Sequence, residues 1–131
     1  MADLETTTVS TEGHVASSRL GDFRLTTGAD GDAGPNPSAV LLADYAACYV
    51  SALRVAAADA GHDDLGEIRI EAEADRADGV LDAIRFDVAV EAAIDATDAN
   101  ALAADALDAS HVGAALREGL RADVSVETDA V

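Results

Sequence analysis

A chain of 131 residues is the size of one domain, with room for a single core and not for two. Half of its residues are apolar, yet only 3% are aromatic and none is Trp, so the core has to be built from Ala, Val, Leu and Ile. A formal net charge of −18, with eight basic residues that are all Arg, argues against nucleic acid and anionic membrane surfaces as partners, because both are bound by neutralising phosphate with basic groups.

The acids are spread along the chain between hydrophobic segments, a pattern that disorder does not explain. Adaptation to high salt does, since screening suppresses self-repulsion and dense carboxylates keep the surface hydrated. Charges interrupt the best candidate for a membrane span, and the N-terminal stretch MADLETTT lacks the basic and apolar regions of a signal peptide, so a cytoplasmic protein is expected. A single cysteine leaves no internal disulfide, and with three His it rules out a Cys-rich zinc site; no cofactor and no metal are called for. Small aliphatic side chains bury little area each, so homodimerisation would supply burial that one copy lacks.

In chain order, Thr6 to Ser10 and His14 to Arg19 are Thr/Ser/Val-rich runs separated by Glu12-Gly13 and predict a β-hairpin. Asp22 to Thr27 alternates as a third strand, with Phe23 and Leu25 toward the core. Gly28 to Asn36 is turn chemistry throughout.

The organising stretch follows, GPNPSAVLLADYAACYVSALRVAAADAG from Gly34 to Gly61. Asn36 is a good N-cap, Pro37 suits a first helical position, and Gly61 suits the left-handed residue that ends a helix, so one helix is predicted over Pro37 to Ala60. Leu41, Tyr45, Cys48, Ala52 and Val55 recur at steps of four and three, which places Cys48 on the expected buried stripe.

Beyond it, Ile68 to Ala74 and Val80 to Ile94 alternate and are expected to pair as an antiparallel hairpin across the turn Asp75 to Gly79. Thr97 is the expected cap of a helix over Asp98 to Ala109, Ser110 to Glu118 reads as a second helical piece ending at Gly119, and Leu120 to Thr128 closes the chain as a strand. The order is β-β-β-α-β-β-α-α-β, an α+β arrangement in one domain over residues 1–131, with no internal repeat and no βαβ signature.

The segment GPNPSAVLLADYAACYVSAL resembles the signature of the OsmC/Ohr superfamily, a Gly-x-x-Pro-x-x-Leu-Leu type of segment followed by Ala-Ala-Cys on a central helix. The resemblance implies antiparallel sheets packed around that helix, an intertwined homodimer, and reduction of small organic hydroperoxides by a reactive cysteine. Cys48 matches the attacking cysteine. Family members resolve the sulfenic acid with a second cysteine in Ala-Cys-Pro-Val, where this chain has Ala109-Ser110-His111-Val112. The supporting Glu of the organic hydroperoxide resistance branch is matched by Ser38. A serine cannot form a disulfide, so the resemblance implies an external thiol reductant, or else a catalytically degenerate protein that binds a small apolar ligand. A partner-binding adaptor is the third reading.

Peroxide is attacked by thiolate, so the cysteine needs a lowered pKa. Cys48 is about three turns from the helix start, beyond the reach of the helix dipole, and Arg54 projects from another side. An N-terminal Arg, Arg19 or Arg24, is therefore the expected source of charge. Arg19 is preferred because Arg24 reads as solvent-facing between Phe23 and Leu25. Tyr45, three residues before Cys48, is a candidate pocket residue as well as a core aromatic. His111 is a candidate proton carrier as well as a surface residue. A Ser110–His111 hydrolase pair is excluded because adjacent helical positions do not face each other.

Overall fold

The computed structural model describes residues 2–131 and gives the element order β1 (Thr7–Val9), β2 (Val15–Leu20), β3 (Phe23–Gly28), α1 (Pro37–Asp59), β4 (Ile68–Ala77), β5 (Val80–Val90), α2 (Ala96–Ala109), α3 (His111–Ala115), a 3₁₀ turn (Glu118–Leu120) and β6 (Asp123–Glu127). This is the expected α+β order. The chain divides into two compact units, residues 1–41 and 42–131, with the boundary inside α1.

In the N-terminal unit, β1, β2 and β3 form an antiparallel sheet in that order. The loop after β3 is pinned by Asn36, whose amide donates to the Ala29 carbonyl (2.7 Å) and whose Oδ1 accepts from the Ser38 N–H (2.8 Å), the second contact starting α1 as an N-cap does. Leu25 is half-buried as expected, but Phe23 is 78% exposed. It opens its strand beside the turn at the sheet's end, opposite Leu20, where no element of the unit covers it.

In the C-terminal unit, α1 ends in a Schellman arrangement: the His62 N–H reaches the Ala57 carbonyl (2.8 Å), the Gly61 N–H reaches Ala58 (3.1 Å), and Gly61 takes φ +93°. β4 and β5 form the expected antiparallel hairpin, closed by Asp78 (φ 54°) and Gly79 (φ 80°), the pair of positive φ values that a two-residue turn between twisted strands requires. β6 corrects the expectation of wholly antiparallel sheets, because it pairs with β5 in parallel. The chain leaves β5, crosses through α2 and α3, and re-enters from the same end, so a β-α-β crossover is present after all.

Two helix starts also differ from expectation. α2 begins at Ala96 with Asp95 at the cap position and no side-chain cap bond, so Thr97 lies inside the helix. The second helical piece is shorter than expected and splits into α3 and the 3₁₀ turn, which contains Gly119.

The core is laid on the inner face of the second sheet. Ile84, Phe86, Val88 and Val90 of β5 meet Tyr45, Tyr49, Leu53 and Ala57 of α1, with Leu102 and Ala106 of α2 beside them. Phe86 is the hub: its ring stands edge-on to Tyr45 at 4.8 Å and to Tyr49 at 5.5 Å. The Tyr49 hydroxyl donates to the Ala103 carbonyl at 3.0 Å, and burial pushes this phenol's pKa well up. The outer face of the sheet is charged, and Arg85 there clasps Asp75 (2.8 Å) and Glu73 (3.2 Å). α1 is long and apolar enough to span a membrane by length and composition, and its contacts with Phe86 account for part of that apolarity as core packing.

Candidate functional site

The buried ridge of α1 runs through Tyr45, Tyr49, Leu53 and Ala57, every fourth residue, rather than through the expected Cys48 stripe. Val55, at the end of that expected stripe, is 60% exposed. Cys48 directly precedes Tyr49, about 100° around the helix from it, and is half-buried on the flank of the ridge. It is therefore neither sealed in the core nor free on the surface.

What faces Cys48 is the break between α2 and α3. Ser110 leaves the helical conformation (φ −70°, ψ 115°), is fully buried, and caps α3 by accepting from the Gly113 N–H at 3.3 Å. The Ser110 hydroxyl and the backbone N–H groups of Val112 and His111 stand close enough to Cys48 to act on its thiol. These donors favour the thiolate and outweigh burial, which works the other way, so the Cys48 pKa is held below the ordinary thiol value.

Gly113 makes this approach possible. A Cβ there would lie 2.8 Å from Cε1 of Tyr45, whose ring is fixed by Phe86 and whose hydroxyl accepts from the Ala122 N–H at 3.0 Å. Lacking that atom, α3 settles onto Tyr45, and its first N–H groups come to Cys48 one turn further along α1. Tyr45 is thus a core aromatic, 1% exposed, that positions α3, and its ring also closes one end of a cleft of about 330 Å³ bounded by Leu107, Leu116, Arg117 and Arg121. Another groove of about 330 Å³ runs between α1 and α2, floored by Ala52, Val55, Ala56 and Ala109 and rimmed by Asp59 and Asp105. Ala52 is one turn beyond Cys48 on α1.

Of the residues singled out from sequence, the C-terminal unit gathers Cys48, Tyr45, Ser110 and His111. His111 contributes its backbone N–H, while its side chain is exposed. Arg54 is engaged elsewhere, donating to the Gly66 carbonyl at 3.0 Å. A hydroxyl and two N–H donors favour the thiolate here, a source that the sequence reading, which looked to an N-terminal arginine, did not include. Ser38, Arg19 and Arg24 belong to the N-terminal unit. Ser38 lies in the first turn of α1 with its N–H on Asn36. Arg19 and Arg24 stand directly opposite each other on β2 and β3, so the contrast drawn between them from sequence does not hold: they share one face. The donors at positions 111 and 112 were missed, although Ser110 ahead of a short helical run is the signal of a cap.

A family model described as OsmC-like protein matches residues 28–125. The chain belongs to the OsmC-like family. An uncharacterised protein of Haloferax volcanii is 44% identical to this OsmC-like chain over 131 residues, covering 99% of each. Among solved structures, the OsmC-like protein of Mycoplasma pneumoniae superposes with a TM-score of 0.81 at 16% identity, covering 97% of this chain and 96% of that one. The organic hydroperoxide resistance protein OhrB of Bacillus subtilis does so with a TM-score of 0.70 at 22% identity, covering 97% and 98%. These structures show that the fold is that of OsmC-like proteins.

Proposed function

We propose that this OsmC-like protein reduces small organic hydroperoxides through Cys48 alone and returns to its starting state with an external thiol. The observation that carries the reading is the cradle around Cys48: a buried hydroxyl and two N–H groups that favour the thiolate on a half-buried side chain. The apolar groove beginning at Ala52 offers room for the organic substituent. The relative named for organic hydroperoxide resistance shares the fold.

In this reading the Cys48 thiolate attacks the outer peroxide oxygen, the O–O bond breaks, and the alkoxide leaves and takes a proton to become the alcohol. Cys48 is then a sulfenic acid. Arg19, from the same copy or a second one, offsets the charge of the reacting oxygens. Ser110 stands against Cys48 but cannot form a disulfide, so an external thiol condenses with the sulfenic acid, releasing water and leaving a mixed disulfide. A second thiol then frees Cys48 as its own disulfide product forms.

We also assign the working form as a homodimer of single-domain chains in the cytoplasm of a salt-adapted cell. Phe23 and Val55, 78% and 60% exposed, are apolar surface that a second copy would cover. The absence of a thiol at Ser110 and of a carboxylate at Ser38 supports the second reading, a binding protein for small apolar ligands without turnover.

The test is dimedone trapping of sulfenic acid on cumene hydroperoxide treatment in high salt, with Cys48→Ser and Arg19→Ala alongside and peroxide consumption followed with an added dithiol. Rapid trapping that depends on Cys48, with turnover in dithiol, is expected. Reaction no faster than that of a free thiol overturns the peroxidase reading and leaves the binding protein.

A further inference from the structure

The cleft that Tyr45 closes at one end, about 330 Å³ in volume, lies wholly within the C-terminal unit, and neither Cys48 nor Ser110 lines it. Its wall is apolar where Leu107 of α2 and Leu116, just after α3, stand half-buried. Four charged side chains also reach it. Arg121 and Asp108 neutralise each other as an ion pair. Arg117 and Glu118 are consecutive and exposed, and among the described residues neither has an ion pair.

Arg117 is held in place without being neutralised. Its Nη2 donates to the Leu81 carbonyl, and its Nη1 lies over Gly119, where a Cβ would come within 3.0 Å, so the glycine leaves room for the guanidinium. Glu118 follows as the first residue of the 3₁₀ turn. The cleft thus presents a fixed cation, a carboxylate and an apolar wall. The charge of the whole chain decides what such a set can select. With 26 acidic residues against eight basic ones, the molecule repels an anion as a whole and attracts a cation to carboxylates over its entire surface, so this cleft singles out neither. A zwitterion is net neutral, and its two charges are read together only where an unpaired guanidinium and an unpaired carboxylate line the same cleft.

We propose that this cleft binds a small α-amino acid with an apolar side chain, its carboxylate on Arg117, its ammonium on Glu118 and its side chain against Leu107 and Leu116. The site is separate from the groove at Ala52 assigned to the organic part of the peroxide. It goes beyond the peroxidase reading and does not rest on it, since binding is measured on reduced protein without peroxide.

The experiment is calorimetric titration of the full chain with L-leucine and three relatives: N-acetyl-L-leucine, which lacks the ammonium, L-leucinamide, which lacks the carboxylate, and glycine, which lacks the side chain. High potassium chloride screens the chain's overall charge, so the net charges of the derivatives do not decide the outcome. Leucine is expected to bind about tenfold more tightly than any of the three, the scale of one charge-assisted hydrogen bond or one buried apolar side chain. Arg117→Gln should bring leucine down to the affinity of leucinamide, and Glu118→Gln should bring it down to that of N-acetyl-leucine, with Arg117→Lys keeping part of the preference. Circular dichroism confirms that each variant is folded, and Glu118→Gln, which breaks no ion pair, carries the test should Arg117 be needed for folding. Equal affinity for leucine and its two derivatives overturns the proposal, as does leucine binding untouched by both Gln variants, or no leucine binding at all.

Discussion

The two units of this chain reach order by different means. Tyr45, Tyr49, Phe86, Leu102 and every other buried core side chain belong to residues 42–131, whereas among residues 2–41 only Gly28 is buried. A three-stranded sheet needs a covered apolar face to be stable by itself, and β1 to β3 have none within their own unit. The difference teaches that the C-terminal unit carries the thermodynamic weight and can hold Cys48 in a fixed setting. The N-terminal unit is a surface sheet that leaves Leu20 and Phe23 exposed.

The strongest way to break this contrast is to remove the hub. Phe86→Ala deletes the ring against which both tyrosines stand and leaves a cavity in a core with few large side chains. The expected loss is about 3–5 kcal/mol, read from denaturant unfolding in high salt. A loss under about 1 kcal/mol would mean that the weight lies elsewhere.

A second test concerns the chemical setting that this stable unit provides. The Ser110 hydroxyl beside Cys48 favours its thiolate, so removing it favours the protonated thiol and raises the pKa. Ser110→Ala should slow iodoacetamide alkylation at neutral pH by about tenfold, the low end of the about 1.5–3 kcal/mol that a hydrogen bond to a charged group is worth, because the N–H donors of Val112 and His111 remain. The pH midpoint of the alkylation rate should move upward, while rates converge at high pH, where both proteins are thiolate. An unmoved midpoint would show that Ser110 is only a cap for α3.

How much of this was legible in the sequence depends on how local the signal is. Asn36, Pro37 and Gly61 fix the ends of α1 because capping chemistry acts over a few residues, and both ends lie where the sequence puts them to within a residue. The buried face of the same helix was not legible. In an Ala-rich segment two apolar stripes compete, one through Cys48, Ala52 and Val55 and one through Tyr49, Leu53 and Ala57, and only the distant Phe86 decides between them. The alternation of β6 marks it as a strand but says nothing of direction, which the α2–α3 crossover sets. The likeness of Ala109-Ser110-His111-Val112 to a family motif brought Ser110 to notice, and the structure puts it against Cys48. The backbone donors beside it have no side-chain signature to read.

A smaller effect within the C-terminal unit depends on salt. On the outer face of the second sheet, Glu71 and Asp87 are direct cross-strand partners of like charge. Glu71→Gln should raise stability by about 0.5 kcal/mol in low salt and by almost nothing in high salt, where screening already removes the repulsion. Unfolding curves at two salt concentrations read the difference, and a gain equal at both would point to packing instead of charge.

The smallest expected change in the folded chain itself comes from the residue that looks most out of place. Phe23 is a large aromatic left 78% exposed at the start of β3, with Leu20 opposite it and 42% exposed. If the C-terminal core carries the stability, Phe23→Ala should shift the unfolding free energy of dilute protein by no more than about 0.5 kcal/mol, the usual scale for surface substitutions. The same change should weaken the proposed dimer, so that sedimentation shows more single chain at a given concentration. The concentration dependence of the thermal midpoint should fall in step, because association stabilises only the folded form. A large loss in dilute protein would place Phe23 in the chain's own core and collapse the contrast between the units. No change in either measurement would leave the ring as bare surface and remove one of the two exposed apolar residues that support the dimer.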